Sequence, residues 1–394
     1  MSPRPAYLDN HATTPVDPRV FEAMQLWFAE QFGNPASVDH AYGWEAAEAV
    51  DSARERIGRL IHAPARSLVF TSGATEANNL AIKGVAGASP TGSHIIANAA
   101  EHRAVLDPVR RLGRQGHEIT IVPCDRFGQV DPQRIADALR PSTVLVSIML
   151  ANNEVGTINP VADIARVCRG RGVFVHCDAA QAVGKIPVDV NELGVDLLSV
   201  SAHKLYGPKG VGVLYVRREG GPRVKLEPQI DGGGHEGHFR SGTLPVPLVV
   251  GFGVACELAD QLQPTEFVEH VRLRDELQRG LSGQLDGITV NGHATSRLPN
   301  NLNVSIAGVE GEALMMGLKR IAVSSGAACS SADPEPSHVL LAMGVPELLA
   351  KASLRFGLGR FNTADDVAVA VSEVSEVVTR LRSQVPSPFG REIG

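Results

Sequence analysis

No window of this 394-residue chain comes near the roughly 18 uninterrupted apolar residues that suggest a membrane-crossing helix, so no membrane association is expected. Basic runs are missing as well. The net charge of −6 is spread along the chain, and no cluster of lysine and arginine could track a phosphate backbone, so no direct nucleic-acid partner is expected. Cysteine is scarce: five residues, at positions 124, 168, 177, 256 and 329, with no CxxC pair and nothing like the density of a disulfide scaffold. An odd count favours a reducing compartment, cytoplasmic by default, with at least one thiol open to chemistry. Met1-Ser2-Pro3-Arg4-Pro5 runs straight into a polar motif, without the charged-then-apolar order of a secretion signal. Lysine is rare too, seven residues in all, so a lysine in an unusual place counts.

What is present describes an ordinary globular protein. Hydrophobic residues make up 43% of the chain and charged residues 20%. The length suits one large and one smaller domain. From about residue 66 to 216, apolar β-rich runs (68–70, 94–96, 118–122, 144–149, 173–177, 197–200 and 211–216) alternate with helical stretches (76–84, 103–114, 132–139 and 161–169). That alternation predicts an α/β fold with a mostly parallel sheet covered on both faces. The loop around Gly207-Pro208-Lys209-Gly210 is too short for a crossover helix, so the last strand should run antiparallel to its neighbour. A helical pattern from about 248 to 284 leads into a second α/β segment over roughly 285–385. Ligands of such sheets bind beyond the carboxyl ends of the strands, which is where the informative residues fall.

Ser72-Gly73-Ala74-Thr75-Glu76 follows a strand and opens a helix, so its backbone N–H groups at a positive helix end suit a phosphate. A plain helix cap is the simpler alternative. Asp178 ends the apolar strand 173–177, where a carboxylate needs a positive partner such as a protonated pyridine nitrogen; capping the next helix is the alternative. Lys204, in Ser201-Ala202-His203-Lys204, also ends a strand and could form a Schiff base with an aldehyde cofactor if its surroundings deprotonate it. Taken singly each signal is modest. Together they are three contacts that pyridoxal phosphate needs in one site.

The motifs 8–15 (Leu-Asp-Asn-His-Ala-Thr-Thr-Pro), 32–37, 71–76, 152–156, 176–181, 201–210 and 240–243 (Arg-Ser-Gly-Thr) occur in the order and character of the cysteine desulfurases, class V aminotransferase-like enzymes. The chain resembles that family, in its housekeeping iron–sulfur-assembly branch, from about residue 6 to 382. The resemblance implies a pyridoxal-phosphate-dependent transferase fold of type I, with a seven-stranded, mostly parallel sheet. It also implies a large domain over 15–255 and a smaller one formed by 1–14 with 256–394. Lys204 would hold the cofactor covalently and Asp178 would pair with the ring nitrogen. Gln181 would bond the ring hydroxyl, and His102 would stack on the ring and handle protons, although alone it reads as a helix-capping histidine. Ala74, Thr75, Ser201 and His203 would bind the phosphate. Thr243 would reach the phosphate of a neighbouring subunit, making the active unit a homodimer.

Cys329 lies in the small, polar, breaker-rich stretch Ser324 to Pro336, which reads as a mobile loop. The other four cysteines have apolar surroundings and read as packing. The family motif Ser-Ser-Gly-x-Ala-Cys implies that Cys329 accepts sulfur from L-cysteine as a persulfide, leaving alanine; Ala327 stands where relatives often have Ser. Arg355, on a probable strand, matches the arginine that grips the substrate carboxylate, with Asn152 and Asn34 assisting. A sulfur-acceptor protein, either an iron–sulfur scaffold or a thiolation relay, is the expected partner. The histidines of Gly232-Gly233-Gly234-His235-Glu236-Gly237-His238 lack a complete ligand set, so no metal is expected. The competing readings are a selenocysteine lyase or other β-lyase on the same scaffold, an aminotransferase, and an inactive docking module.

Overall fold

The structure, a computed structural model, describes residues 4–325 and 335–384. Seven strands build the central sheet: β1 (Leu68–Thr71), β2 (His94–Asn98), β3 (Glu118–Val122), β4 (Thr143–Ser147), β5 (Phe174–Asp178), β6 (Leu197–Ser201) and β7 (Gly212–Val216). Their spatial order is β1-β7-β6-β5-β4-β2-β3. Only β7 opposes the others within this sheet, pairing antiparallel with both β1 and β6, as the short loop before it requires. Almost every residue of the inner strands is buried, because helices cover both faces. The expected strand 144–149 is observed at Thr143–Ser147, and beyond it Ile148 N and Leu150 N still donate to the carbonyls of His176 (3.0 Å) and Asp178 (2.9 Å).

The helices Arg103–Arg114 and Val161–Arg169 keep the bounds read from the sequence. The helix expected over 76–84 is longer at both ends, Ala74–Gly87. Two further helices precede the sheet, Pro18–Ala29 (N-capped by Asp17) and Ala41–Leu60 (N-capped by His40).

A second sheet is antiparallel, in the order β10-β11-β9-β8, where β8 is Ile288–Asn291, β9 Asn301–Ile306, β10 Ser324–Ser325 and β11 Ser353–Gly357. The first residues of the chain belong here: Ala6–Tyr7 pairs with Ile321–Ala322, and Leu8 packs with Leu302, Leu354 and Phe356. One continuous helix, Val246–Gln284, joins the two regions. Its Val249, Phe252 and Cys256 enter the core of the large sheet, while Leu273, Leu277 and Leu281 enter the core of the small one.

Candidate active site

The two sheets meet at a cleft of about 1120 Å³, beyond the carboxyl ends of the central strands. One wall comes from the large sheet. After β1 the chain turns at Gly73, whose φ of +147° suits glycine, and enters the helix Ala74–Gly87. The turn is packed tightly against β7, since a Cβ on Gly212 would lie 2.7 Å from the Cα of Gly73. The first-turn N–H groups, including those of Ala74 and Thr75, have no acceptor within their own helix and lie at its positive end. Glu76 does not face the cleft as a free charge. It accepts from Ser72 N (2.8 Å) and from Arg240 Nε (2.9 Å), tying the turn to the Arg240-Ser241-Gly242-Thr243 motif.

Asp178 ends β5. Its Oδ1 accepts from Ala180 N at 3.0 Å and its Oδ2 from Asn78 Nδ2 at 2.7 Å. Gln181, three residues on, donates through Nε2 to the carbonyl of His11 (3.0 Å), so its Oε1 accepts from His11 Nδ1 (3.0 Å). Ser201 and His203 follow β6 and also line the cleft. Lys204 donates to the carbonyls of His11 and Ala12, the latter at 2.8 Å. Burial first, then the nearby Arg355 guanidinium, lower its amine from the usual lysine range to about 8. Near neutral pH a sizeable fraction of this amine is therefore unprotonated, the form able to attack an aldehyde. His102 is a helix cap that also lines the cleft. Its Nδ1 accepts from Ala104 N (3.1 Å) as a helix cap, while its ring is open to the cleft.

The other wall comes from the small sheet. Arg355 on β11 donates through Nη2 to Asp9 Oδ1 (2.9 Å) and Ser324 Oγ (3.1 Å), and through Nη1 to the carbonyl of Asn153 (3.1 Å). Its Nε is buried with no partner among the described residues. Glu154 also lines the cleft. Burial raises its carboxyl to about 7, and the Ser337 hydroxyl donates to it. Ser337 in turn caps the helix His338–Ala342.

Among the sequence-derived candidates, Asp178, Lys204, His102, Gln181, Ala74, Thr75, Ser201, His203 and Arg355 all line this one cleft. Asn34, Asn152 and Thr243 do not. Asn34 caps a surface turn through Ala36 N (3.0 Å). Asn152 is fully buried, donating to the Ala100 carbonyl (2.9 Å) and accepting from Glu154 N and Val155 N. Thr243 is exposed outside the cleft. Cys329 lies outside the described residues; Ser324 and Ser325 before it, and Glu335, Pro336 and Ser337 after it, line the cleft. Among the described residues no three His, Cys, Asp or Glu side chains converge as metal ligands, and His235 Nδ1 instead accepts from Gly242 N (3.1 Å). Sequence reading missed Asp9, His11, Asn78 and Glu154. The first two and Glu154 stand inside motifs already noted, but nothing in the sequence tells that they turn inward.

Behind Lys204 the chain is pinned. Tyr206, at φ +65°, is fully buried between two cations: Lys185 Nζ lies 4.4 Å and Arg360 Cζ 4.1 Å from its ring centroid. The Tyr206 hydroxyl accepts from Arg360 N (2.5 Å), and Arg360 also pairs with Asp17 (2.7 Å) and Glu266.

A partly neutral lysine, a strand-end carboxylate and a phosphate-ready helix end around one cleft define a pyridoxal-phosphate enzyme of fold type I, and the chain belongs to the aminotransferase class-V family, whose model matches residues 6–369. Within that class it falls among the cysteine desulfurases. It is 55% identical over 383 residues to cysteine desulfurase IscS of Anaeromyxobacter dehalogenans, covering 97% of this chain and 94% of that one. Among solved structures it resembles a NifS-like protein (TM-score 0.89, 37% identity, 96% of this chain and 100% of the other). It also resembles a structure described as SspA in complex with cysteine (TM-score 0.78, 35% identity, 91% and 100%).

The residues present fit the cofactor. Lys204 is poised for the aldehyde, the Asp178 carboxylate faces the cleft, and the turn at Gly73 leaves room for a phosphate against open N–H groups.

Proposed function

We propose that this chain is a cysteine desulfurase that takes sulfur from L-cysteine onto Cys329, releasing L-alanine and supplying sulfur for iron–sulfur assembly or tRNA thiolation. The observation that carries the reading is the convergence of Lys204, Asp178 and Arg355 on one cleft whose rim holds both flanks of the Cys329 segment. Pyridoxal phosphate, held by Lys204, Asp178, Gln181, the 73–75 turn, Ser201 and His203, supplies the electron sink that weakens the bonds at the substrate's Cα and Cβ.

The chain's own residues do the rest. Arg355 exchanges Asp9 for the substrate carboxylate, a planar donor meeting a planar acceptor. Lys204 Nζ, once released, takes the Cα proton; an amine near 8 can both accept and return it. The Cys329 thiolate attacks the substrate sulfur. The S–S bond forms as Cβ–S breaks, so cysteine and a thiol give alanine and a persulfide without an external oxidant. A free thiol titrates near 8.5, and His102, open to the cleft, is positioned to receive its proton.

Two features support a homodimer as the active unit. Phe21, Leu26, Phe28, Phe32, Tyr42 and Trp44 are each at least half exposed within a single stretch, more apolar surface than a lone subunit should leave in water. Thr243 is also exposed outside its own cleft, free to serve another. Free, buried thiols at 124, 168, 177 and 256 support a reducing, cytoplasmic setting. No helix among the described residues is long and apolar enough to cross a membrane.

Anaerobic incubation with L-cysteine, followed by intact-mass and alanine analysis, tests the reading. One extra sulfur mapped to Cys329 and stoichiometric alanine are expected. Undiminished alanine release from Cys329→Ser would instead mark a lyase that needs no acceptor thiol.

A further inference from the structure

Asn78 is fully buried in the middle of the helix Ala74–Gly87, an interior place where an apolar side chain would pack without penalty. Its Nδ2 donates to Asp178 Oδ2 at 2.7 Å, and its Oδ1 has no partner among the described residues. The amide cannot be turned over, since that would set oxygen against a carboxylate oxygen. A buried amide with half its capacity unused is destabilising, and its one bond goes to the acid that faces the cofactor's ring nitrogen.

Three properties follow. Ala180 N holds one oxygen of Asp178 and Asn78 the other, so the carboxylate plane is fixed and the remaining lone pairs are left for the cleft. A neutral donor holds the carboxylate without bringing it a counter-charge, as a lysine or arginine in the same place would do. Finally, Asn78 lies three residues past Thr75, about 4.5 Å further along the same helix. One rigid element therefore carries both the phosphate turn and the clamp on the acid. Glu101 is buried as well, and burial first, with the nearby Asp178 carboxylate adding to it, pushes its carboxyl well above the usual range.

We propose that Asn78 is a positioning residue for the cofactor's ring nitrogen, fixing the orientation of the Asp178 carboxylate. This rests on the reading of Asp178 as the partner of that nitrogen, and the test separates the two. Apoprotein is titrated calorimetrically with pyridoxal phosphate and with its 1-deaza analogue, in which C–H replaces the ring nitrogen while the aldehyde and phosphate are unchanged. Wild type should prefer pyridoxal phosphate. Asn78→Ala and the similarly sized Asn78→Leu should lose about 10-fold to 100-fold of that preference, the worth of a hydrogen bond to a charged group, while binding the analogue as wild type does. Affinity for the analogue thus doubles as the folding control. If both variants keep the full preference, or lose both ligands equally, Asn78 is only a structural residue and the inference falls. Absence of any preference in wild type would overturn the reading of Asp178 itself.

Discussion

The two walls of the cleft are built differently. On the large-sheet wall, the groups stand at or just past the strand ends of one sheet, and near neighbours in sequence hold part of each of three of them: Asp178 by Ala180 (with Asn78 on its other oxygen), His102 by Ala104, and the 72–76 turn by Ser72 and Glu76. On the small-sheet wall, Arg355 is held by Asp9, Asn153 and Ser324, which are 346, 202 and 31 residues away. The first wall is ready before any ligand arrives. The second is paired within itself, so under the proposed role of Arg355 a substrate carboxylate would have to displace Asp9 to bind. A cofactor that stays needs the first kind of site, and a substrate that must leave is served by the second.

Substitutions on either wall test that contrast. Lys204→Ala should have the largest effect: no borohydride-trapped cofactor adduct by mass, and turnover lowered about 1,000-fold or more, since both the tether and the proton carrier are lost. If Lys204→Ala kept near-normal turnover, a different base would have to be found on the opposite wall.

Glu154 belongs to the substrate wall and should reveal itself through pH. Its carboxyl titrates near 7 in the folded chain against about 4.3 when unfolded, so the folded state binds the extra proton between those values. The stability contribution is complete below about 4.3 and is lost as pH rises through 7, a change of roughly 4 kcal/mol. Denaturant melts of wild type and Glu154→Gln across that range should show the Gln variant gaining on wild type as pH rises. Parallel curves would place the titration elsewhere.

Smallest in effect, Arg355→Lys should raise KM about 10-fold, because a point charge replaces a two-pronged donor, while affinity for pyridoxal phosphate stays close to wild type. The walls also communicate through charge. Arg355 helps hold the Lys204 amine low, so Arg355→Gln should move the pH midpoint for condensation of apoprotein with pyridoxal phosphate upward from about 8. An unchanged midpoint would make the two walls electrically independent.

The same contrast explains what could be read from the sequence. The strands and helices of the large sheet, its one antiparallel strand and the groups at its strand ends were legible because period, caps and loop length are local signals. The helix Arg103–Arg114 begins at its capping His102 and was read to the residue. Asn78 was not legible. It stands beside Asn79 in a polar run, and only the docking of that helix over β5 decides which asparagine turns inward. Asp9 and Glu154 could be seen as residues but not as partners, since their contacts cross hundreds of positions. Asn34 and Asn152 illustrate the converse: motif matching marks them as notable, while direction depends on turns that hold the Asn152 side chain within the fold, mostly through backbone bonds.

The clamp on Tyr206 has a mechanical meaning. It grips the backbone two residues past Lys204 with side chains rooted before the central sheet (Asp17), on the long connecting helix (Glu266) and just beyond β11 (Arg360). Any tilt of one sheet against the other must carry that grip along. The lysine's stem is thereby slaved to the arginine strand, so the bearing between amine and carboxylate clamp survives whatever breathing the cleft undergoes.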